Sequence, residues 1–213
     1  MQVVFYSCDL MEKNTIIDEE LKTLLDAKST ITYLNPPKNY PGTSFENFTN
    51  WYAGLGYTNI QRLNLNDDYD FEDVEKALSR DVIFLPDSNA YALLSVVLKR
   101  NFNNQLIGFV KKGGVLIGAS AGAMVISASI GASAEENEVG VDPDEALGIV
   151  DFEFLPHYEE ENTIDNILLE RSKTRNVIAC KDGDGLIIWD DDKYIIGEPV
   201  FFFLGNRELL ERF

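Results

Sequence analysis

The chain is 213 residues long and 45% hydrophobic, enough to bury a full core, and a single domain over residues 1–213 is the expectation. Its 36 Asp and Glu outnumber 18 Lys and Arg, and the formal net charge of −18 argues against nucleic acid or an anionic membrane as partner. That balance suits a soluble, cytoplasmic protein: residues 1–6 form too short an apolar run for a signal peptide and lack a basic flank, and no segment approaches membrane-spanning length. Cys8 and Cys180 make neither a disulfide framework nor a four-ligand zinc site; each follows a strand-like run and reads as a buried thiol of a reducing compartment. His157 is the one histidine, which argues against a histidine-based metal site and concentrates any imidazole chemistry at one position.

In chain order, residues 3–6 predict a strand, and 15–27 a helix with Ile16, Ile17, Leu21, Leu24 and Leu25 at helical spacing. A second strand over 30–34 leads through Asn35-Pro36-Pro37 and Pro41-Gly42 to a helix starting near Thr43 or Ser44 and capped at Gly56. That helix carries Phe45, Phe48, Trp51, Tyr52 and Leu55 on one face, an aromatic stripe read as core. Residues 60–65 predict the third strand, 66–70 a solvated acidic turn, and 71–78 an amphipathic helix. The apolar strand 82–85 stops at Pro86-Asp87-Ser88-Asn89; 90–100 predicts a helix that 106–112 extends, and 115–117 the next strand. Residues 132–145, rich in Asp and Glu, read as a loop, and 147–155 as a strand closed by Pro156-His157-Tyr158. A helix over 163–172 and short strands over 176–179, 186–189, 194–196 and 200–204 complete the chain, with Asp190-Asp191-Asp192-Lys193 as a hairpin turn. Such alternation predicts an α/β fold, a mostly parallel sheet with helices on both faces and a small β-rich C-terminal part. Sites in such sheets form beyond the carboxyl ends of the strands, where Pro86–Asn89, Ser120 and Pro156–Tyr158 all fall.

The most informative stretch is Gly118-Ala119-Ser120-Ala121-Gly122, a Gly-x-Ser-x-Gly bend between a predicted strand and a predicted helix. Glycines two residues either side of the serine avoid collision with the neighbouring strand and helix at so tight a turn. The helix start directs free N–H groups at the space above Ser120, where an oxyanion would form. The simpler reading is a close-packed helix start; the strand–turn–helix context favours a nucleophile. A serine hydroxyl needs a base within hydrogen-bond reach, itself oriented by a third group, and His157 is the available imidazole. For the orienting carboxylate, spacing leaves Glu135, Glu136, Glu138 and Asp142 open.

Residues 117–123, Ile-Gly-Ala-Ser-Ala-Gly-Ala, with Leu155-Pro156-His157-Tyr158 downstream, resemble the peptidase E family of serine peptidases, which includes aspartyl dipeptidases and cyanophycinase relatives. The likeness covers most of the chain and implies a three-layer α/β/α sheet similar to class I glutamine amidotransferases, with serine in place of cysteine. It implies Ser120 as nucleophile, His157 as base and Glu135 as the acid, with Glu136 a rival. It further implies that the Ala121 N–H and one N–H of the turn after the preceding strand, here that of Ser88, form an oxyanion hole. The family has Gly-Gly-Asn at that turn and this chain has Pro86-Asp87-Ser88-Asn89; Pro86 has no N–H and Asp87 brings a negative charge near the oxyanion.

No Arg-rich stretch follows His157; Glu159-Glu160-Glu161 stands there instead, which argues against a preference for an amino-terminal aspartate. The triple glutamate reads most simply as a solvated helix start, while an acidic cleft would suit a free α-ammonium group. The resulting expectation is a serine-type exopeptidase or dipeptidase acting on short peptides, without metal or organic cofactor, with a homodimer compatible. Two other readings stand beside it: a non-catalytic member that binds peptides or small molecules, motivated by the altered turn, and a small esterase of the α/β-hydrolase type, for which the chain is short.

Overall fold

The computed structural model describes residues 1–66 and 70–211. Strand and helix alternate through β1 (Gln2–Tyr6), α1 (Thr15–Leu24), β2 (Ile31–Leu34), α2 (Phe45–Gly54), β3 (Ile60–Leu63), α3 (Phe71–Leu78), β4 (Val82–Leu85), α4 (Ala90–Lys99), α5 (Phe102–Lys111), β5 (Val115–Ala119) and α6 (Ala121–Ile126). Among the described residues the main sheet has the order β3-β2-β4-β5-β1-β8-β9, where β8 is Gly185–Trp189 and β9 is Asp192–Ile196. The first five strands of that order are parallel; β8 and β9 close one edge antiparallel, joined by a turn in which Asp190 has φ 56°.

Successive side chains of a strand point to opposite faces, and the sheet is apolar on both. Val3, Phe5, Ile83, Leu85 and Leu116 face α3 to α6, whereas Val4, Tyr6, Tyr33, Phe84 and Ile117 face Ile17 and Leu21 of α1 and Phe48, Trp51 and Tyr52 of α2. The aromatic stripe of α2 is core, as expected. Ser44 caps this helix, its hydroxyl accepting the Asn47 N–H at 3.1 Å, and Gly56 follows the helix end with φ 102°.

The expected C-terminal strands form, and they divide between the main sheet and a second one. β6 (Phe152–Leu155), β7 (Asn176–Ala179), β10 (Val200–Phe203) and β11 (Asn206–Leu209) build a second sheet in the order β11-β10-β7-β6. β6 and β7 are parallel, linked by α7 (Asn162–Arg171). Phe152, Phe154 and Ile178 pack this sheet onto the α3–α6 side of the main one, while Val177, Ala179 and Phe202 on its other face cover Leu168 of α7.

Three boundaries differ from expectation for physical reasons. The helix expected over 90–112 breaks at Asn101, whose φ of 53° separates α4 from α5. The strand expected over 147–155 starts only at Phe152, because the N–H groups of Leu147, Gly148 and Ile149 donate to carbonyls of Val125, Ser127 and Ile126 and so cap α6. β11 is exposed along its length and carries no apolar alternation to betray it. The acidic turn expected over 66–70 lies for the most part outside the described residues. Among the described residues no helix is long and apolar enough to cross a membrane.

Candidate active site

Ser120 stands at the end of β5 with φ 49° and ψ −113°, a conformation non-glycine residues rarely adopt and one that costs on the order of 1–3 kcal/mol. The neighbouring glycines make the bend feasible. A Cβ on Gly118 would overlap the backbone of Gly122 and Ala123, and one on Gly122 would overlap the Leu85 carbonyl in β4. The Ser120 N–H donates to the Tyr6 carbonyl at 2.9 Å, which ties the bend to β1.

His157 follows β6 of the second sheet, so the imidazole reaches the serine from a different sheet and not along the same strand edge. Its φ of 53° is a second strained backbone, held by Ser7 just beyond β1: the His157 N–H donates to Ser7 Oγ at 3.0 Å, and that hydroxyl donates to the Cys180 carbonyl at 2.8 Å. Both cysteines are buried and free, as expected. Ser120 Oγ and His157 Nε2 are 2.8 Å apart.

The carboxylate on the other ring nitrogen is that of Asp182, with Oδ1 2.6 Å from His157 Nδ1. Lys13 Nζ donates to its second oxygen at 2.7 Å. Burial opposes ionisation of Asp182, but the hydrogen bonds from Lys13 and His157 outweigh it and hold the carboxyl below the usual range.

Glu135 makes no hydrogen bond to His157, whose two ring nitrogens are paired with Ser120 and Asp182. Its Oε2 accepts the Ala90 N–H at 2.7 Å and the Ser133 hydroxyl at 3.2 Å, because the loop after α6 folds across the start of α4. Burial pushes Glu135 up despite those bonds, and Asp87 adds to the rise. Of its rivals, Glu136 accepts at its carbonyl from Asn89 Nδ2 at 3.2 Å, Glu138 accepts from the Tyr40 hydroxyl, and Asp142 accepts the Asp144 N–H at 3.0 Å. Glu160 pairs with Arg207 at 2.9 Å and Glu161 precedes α7, as the reading of a solvated helix start expects, whereas Glu159 lines the cavity beside Ser120.

The turn after β4 is also self-satisfied. The Ser88 N–H donates to Asp87 Oδ1 at 2.8 Å and the Ser88 hydroxyl to the Tyr40 carbonyl at 2.8 Å. Asn89 is the cap of α4, its side chain accepting the Ala92 N–H at 2.9 Å. Of the two N–H groups expected at an oxyanion hole, that of Ala121 opens α6 and has no carbonyl a turn earlier to bind, while that of Ser88 is taken by its neighbour's carboxylate.

A cavity of about 370 Å³ adjoins the serine, lined by Ser120, Ala121, His157 and Glu135, with apolar walls from Met124, Leu155 and the inner face of α7. Among the described residues no group of three or more His, Cys, Asp or Glu could hold a metal ion. Hydroxyl, imidazole and carboxylate in this order can relay a proton from the first to the second while the third stabilises the resulting imidazolium.

Asp182 and Ser7 escaped the sequence reading. Asp182 lies in Lys181-Asp182-Gly183-Asp184, which reads as a turn; its placement after a strand end was the available signal.

The sequence profile of peptidase family S51 matches residues 10–196. No curated protein matches the chain in sequence. Among solved structures, a protein of Listeria monocytogenes EGD-e described as of the peptidase E type is 18% identical, with a TM-score of 0.75 over 91% of this chain and 96% of that one. A peptidase from an acI-B1 Actinobacterium is 17% identical, with a TM-score of 0.66 over 98% of this chain and 93% of that one. These two share the fold: a mixed α/β architecture around a mostly parallel sheet. The peptidase E resemblance carried by residues 117–123 and 155–158 is thereby upheld, and with a profile match across most of its length the chain belongs to peptidase family S51.

Proposed function

We propose that this S51 peptidase-family protein is a serine-type exopeptidase that hydrolyses short peptides through an acyl-enzyme on Ser120. The observation that carries the reading is the continuous chain from Ser120 Oγ to His157 Nε2 at 2.8 Å and from His157 Nδ1 to Asp182 Oδ1 at 2.6 Å. His157 takes the serine proton as Oγ attacks the peptide carbonyl, then returns it to the departing amine. Water repeats the cycle on the ester. Asp182, ionised and held by Lys13, fixes the ring so that Nε2 faces the serine and steadies the imidazolium. Asp182 takes the role that the resemblance gave to Glu135. The Ala121 N–H supplies one donor to the oxyanion.

The test is mass spectrometry of a mixed di- and tripeptide library incubated with the wild type and with Ser120→Ala. Cleavage by the wild type alone is expected, with turnover of the variant lower by on the order of 10⁶-fold. Cleavage by both proteins would overturn the assignment of Ser120.

A second reading, a family member that binds peptides without cleaving them, is favoured by one observation: the Ser88 N–H is occupied by the Asp87 carboxylate. Folded wild-type protein that retains a peptide and releases it uncut would establish that reading.

A further inference from the structure

We infer that the cavity beside Ser120 receives the first residue of a peptide whose amino group is free and whose side chain is apolar. This rests on the peptidase reading and names the substrate class for the same site. The cavity shares Ser120 and His157 with the proton relay and Ala121 with the oxyanion position, so a carbonyl seated at Ser120 places the side chain on its acyl side within the cavity. The walls there are apolar. Ile164, Ile167 and Leu168 project from one face of α7 at helical spacing, and Met124, Ala132 and Leu155 stand around them. At about 370 Å³ the space admits a side chain as large as Leu or Phe.

The cation at the cavity wall is already committed. Arg171 donates from Nε and from Nη2 to Glu153, a fully buried carboxylate, the second bond at 2.6 Å, and Nη2 also reaches Ser129 Oγ at 3.2 Å. Opening that pair to bind an acidic side chain would leave Glu153 buried without its counter-charge, a strongly unfavourable exchange. An acidic first residue therefore finds no free positive charge on Arg171 and meets Glu135 at the same cavity.

Glu135 supplies the other half of the recognition. One of its oxygens is fixed by the Ala90 N–H at 2.7 Å and by Ser133 Oγ at 3.2 Å; both donors are neutral, and among the described residues no Lys or Arg forms a salt bridge with it. It lines the same cavity as Ser120 and His157, and in this proposal it receives the α-ammonium of the residue whose carbonyl is attacked. Ammonium against carboxylate is a charge-assisted hydrogen bond, which acetylation of the peptide removes.

The experiment separates binding from cleavage. Ser120→Ala protein is titrated calorimetrically with Leu-Ala, Asp-Ala and acetyl-Leu-Ala, and the same peptides are offered to the wild type. Leu-Ala should bind at least about tenfold tighter than either of the others. Glu135→Gln in the Ser120→Ala protein, which keeps an acceptor for the Ala90 N–H, should bring Leu-Ala and acetyl-Leu-Ala to equal affinity. Selective binding of Leu-Ala without hydrolysis by the wild type would support the subsite and overturn the peptidase reading. Hydrolysis with Asp-Ala preferred, or with acetyl-Leu-Ala accepted equally, would overturn the subsite and leave the peptidase reading standing; no binding of any of the three would overturn the subsite.

Discussion

At the scale of single residues the site holds two carboxylates with opposite tendencies, and this separates their roles. Asp182 is held below its usual range by the hydrogen bonds from Lys13 and His157, which favour its ionised form, whereas Glu135 is pushed up by burial. Replacing Asp182 with Asn keeps the shape but loses the charge that orients and stabilises the ring; kcat should fall by on the order of 10⁴-fold. Glu135→Gln should act mainly through KM for unblocked peptides. Steady-state kinetics of the two variants checks the division, and an equal loss of kcat in both would overturn it. Asp87 invites the reverse experiment. Its carboxylate occupies the Ser88 N–H, so Asp87→Gly releases a second oxyanion donor and should raise kcat, up to the ~10²-fold that one such donor supplies. A lower or unchanged kcat would mean that Ser88 N–H does not face the oxyanion. Ser120 and His157 were legible in the sequence because one sits in a motif with a steric logic and the other is the chain's one imidazole. Asp182 was not: its approach to His157 depends on β6 and β7 pairing side by side, and nothing local to either strand announces that partner.

At the scale of elements, the elbow works because β4, β5 and α6 touch backbone to backbone. Gly122 meets the Leu85 carbonyl with no room for a Cβ, so Gly122→Ala must push α6 away from β4 or tilt it. Overpacking of this kind costs about 1–3 kcal/mol, and because the displaced helix begins at Ala121, activity should fall along with stability. Urea denaturation and peptide turnover of the variant test both; unchanged stability would show that the two elements are free to separate. Strand and helix placement in this half was legible almost throughout, with α3 and β4 as expected, since a parallel sheet buried on both faces writes itself as short apolar runs between amphipathic helices. The second sheet was harder to read. Its strands come from 152–155, 176–179, 200–203 and 206–209, and the hairpin β8–β9 that joins the main sheet interrupts them in the sequence. β11, polar and exposed at an edge, carries no pattern that distinguishes it from a loop.

At the scale of the whole molecule, the dominant fact is the net charge of −18, and the structure buries one of those carboxylates between β1, α1 and α2. Asp18 of α1 is 3% exposed and accepts from the Tyr6 hydroxyl in β1 and from Trp51 Nε1 in α2, each at 2.8 Å, so it clamps three elements together. Burial raises its pKa to about 6 from an ordinary 3.8, against the two hydrogen bonds that favour the ionised form. A folded-state value above the unfolded one means that the folded chain holds the proton more tightly. The contribution to stability is thus complete below pH 3.8, declines as pH rises, and is lost above pH 6, a difference of about 3 kcal/mol. Repulsion among the surface carboxylates also grows as they ionise, so the wild type alone cannot apportion the loss. Asp18→Asn separates the two, because it removes the buried titration and leaves the surface unaltered. Measured by urea denaturation, the variant should gain on the wild type by about 3 kcal/mol from well below pH 3.8 to well above pH 6, whatever its offset from exchanging one acceptor for an amide. Salt provides the control: going from about 0.01 to 0.15 M shortens the screening length from ~30 to ~8 Å, which should raise the Tm of both proteins while the gap between them stays put. A gap that is flat with pH would show that Asp18 carries no buried charge; a gap that closes with salt would place the effect on the surface.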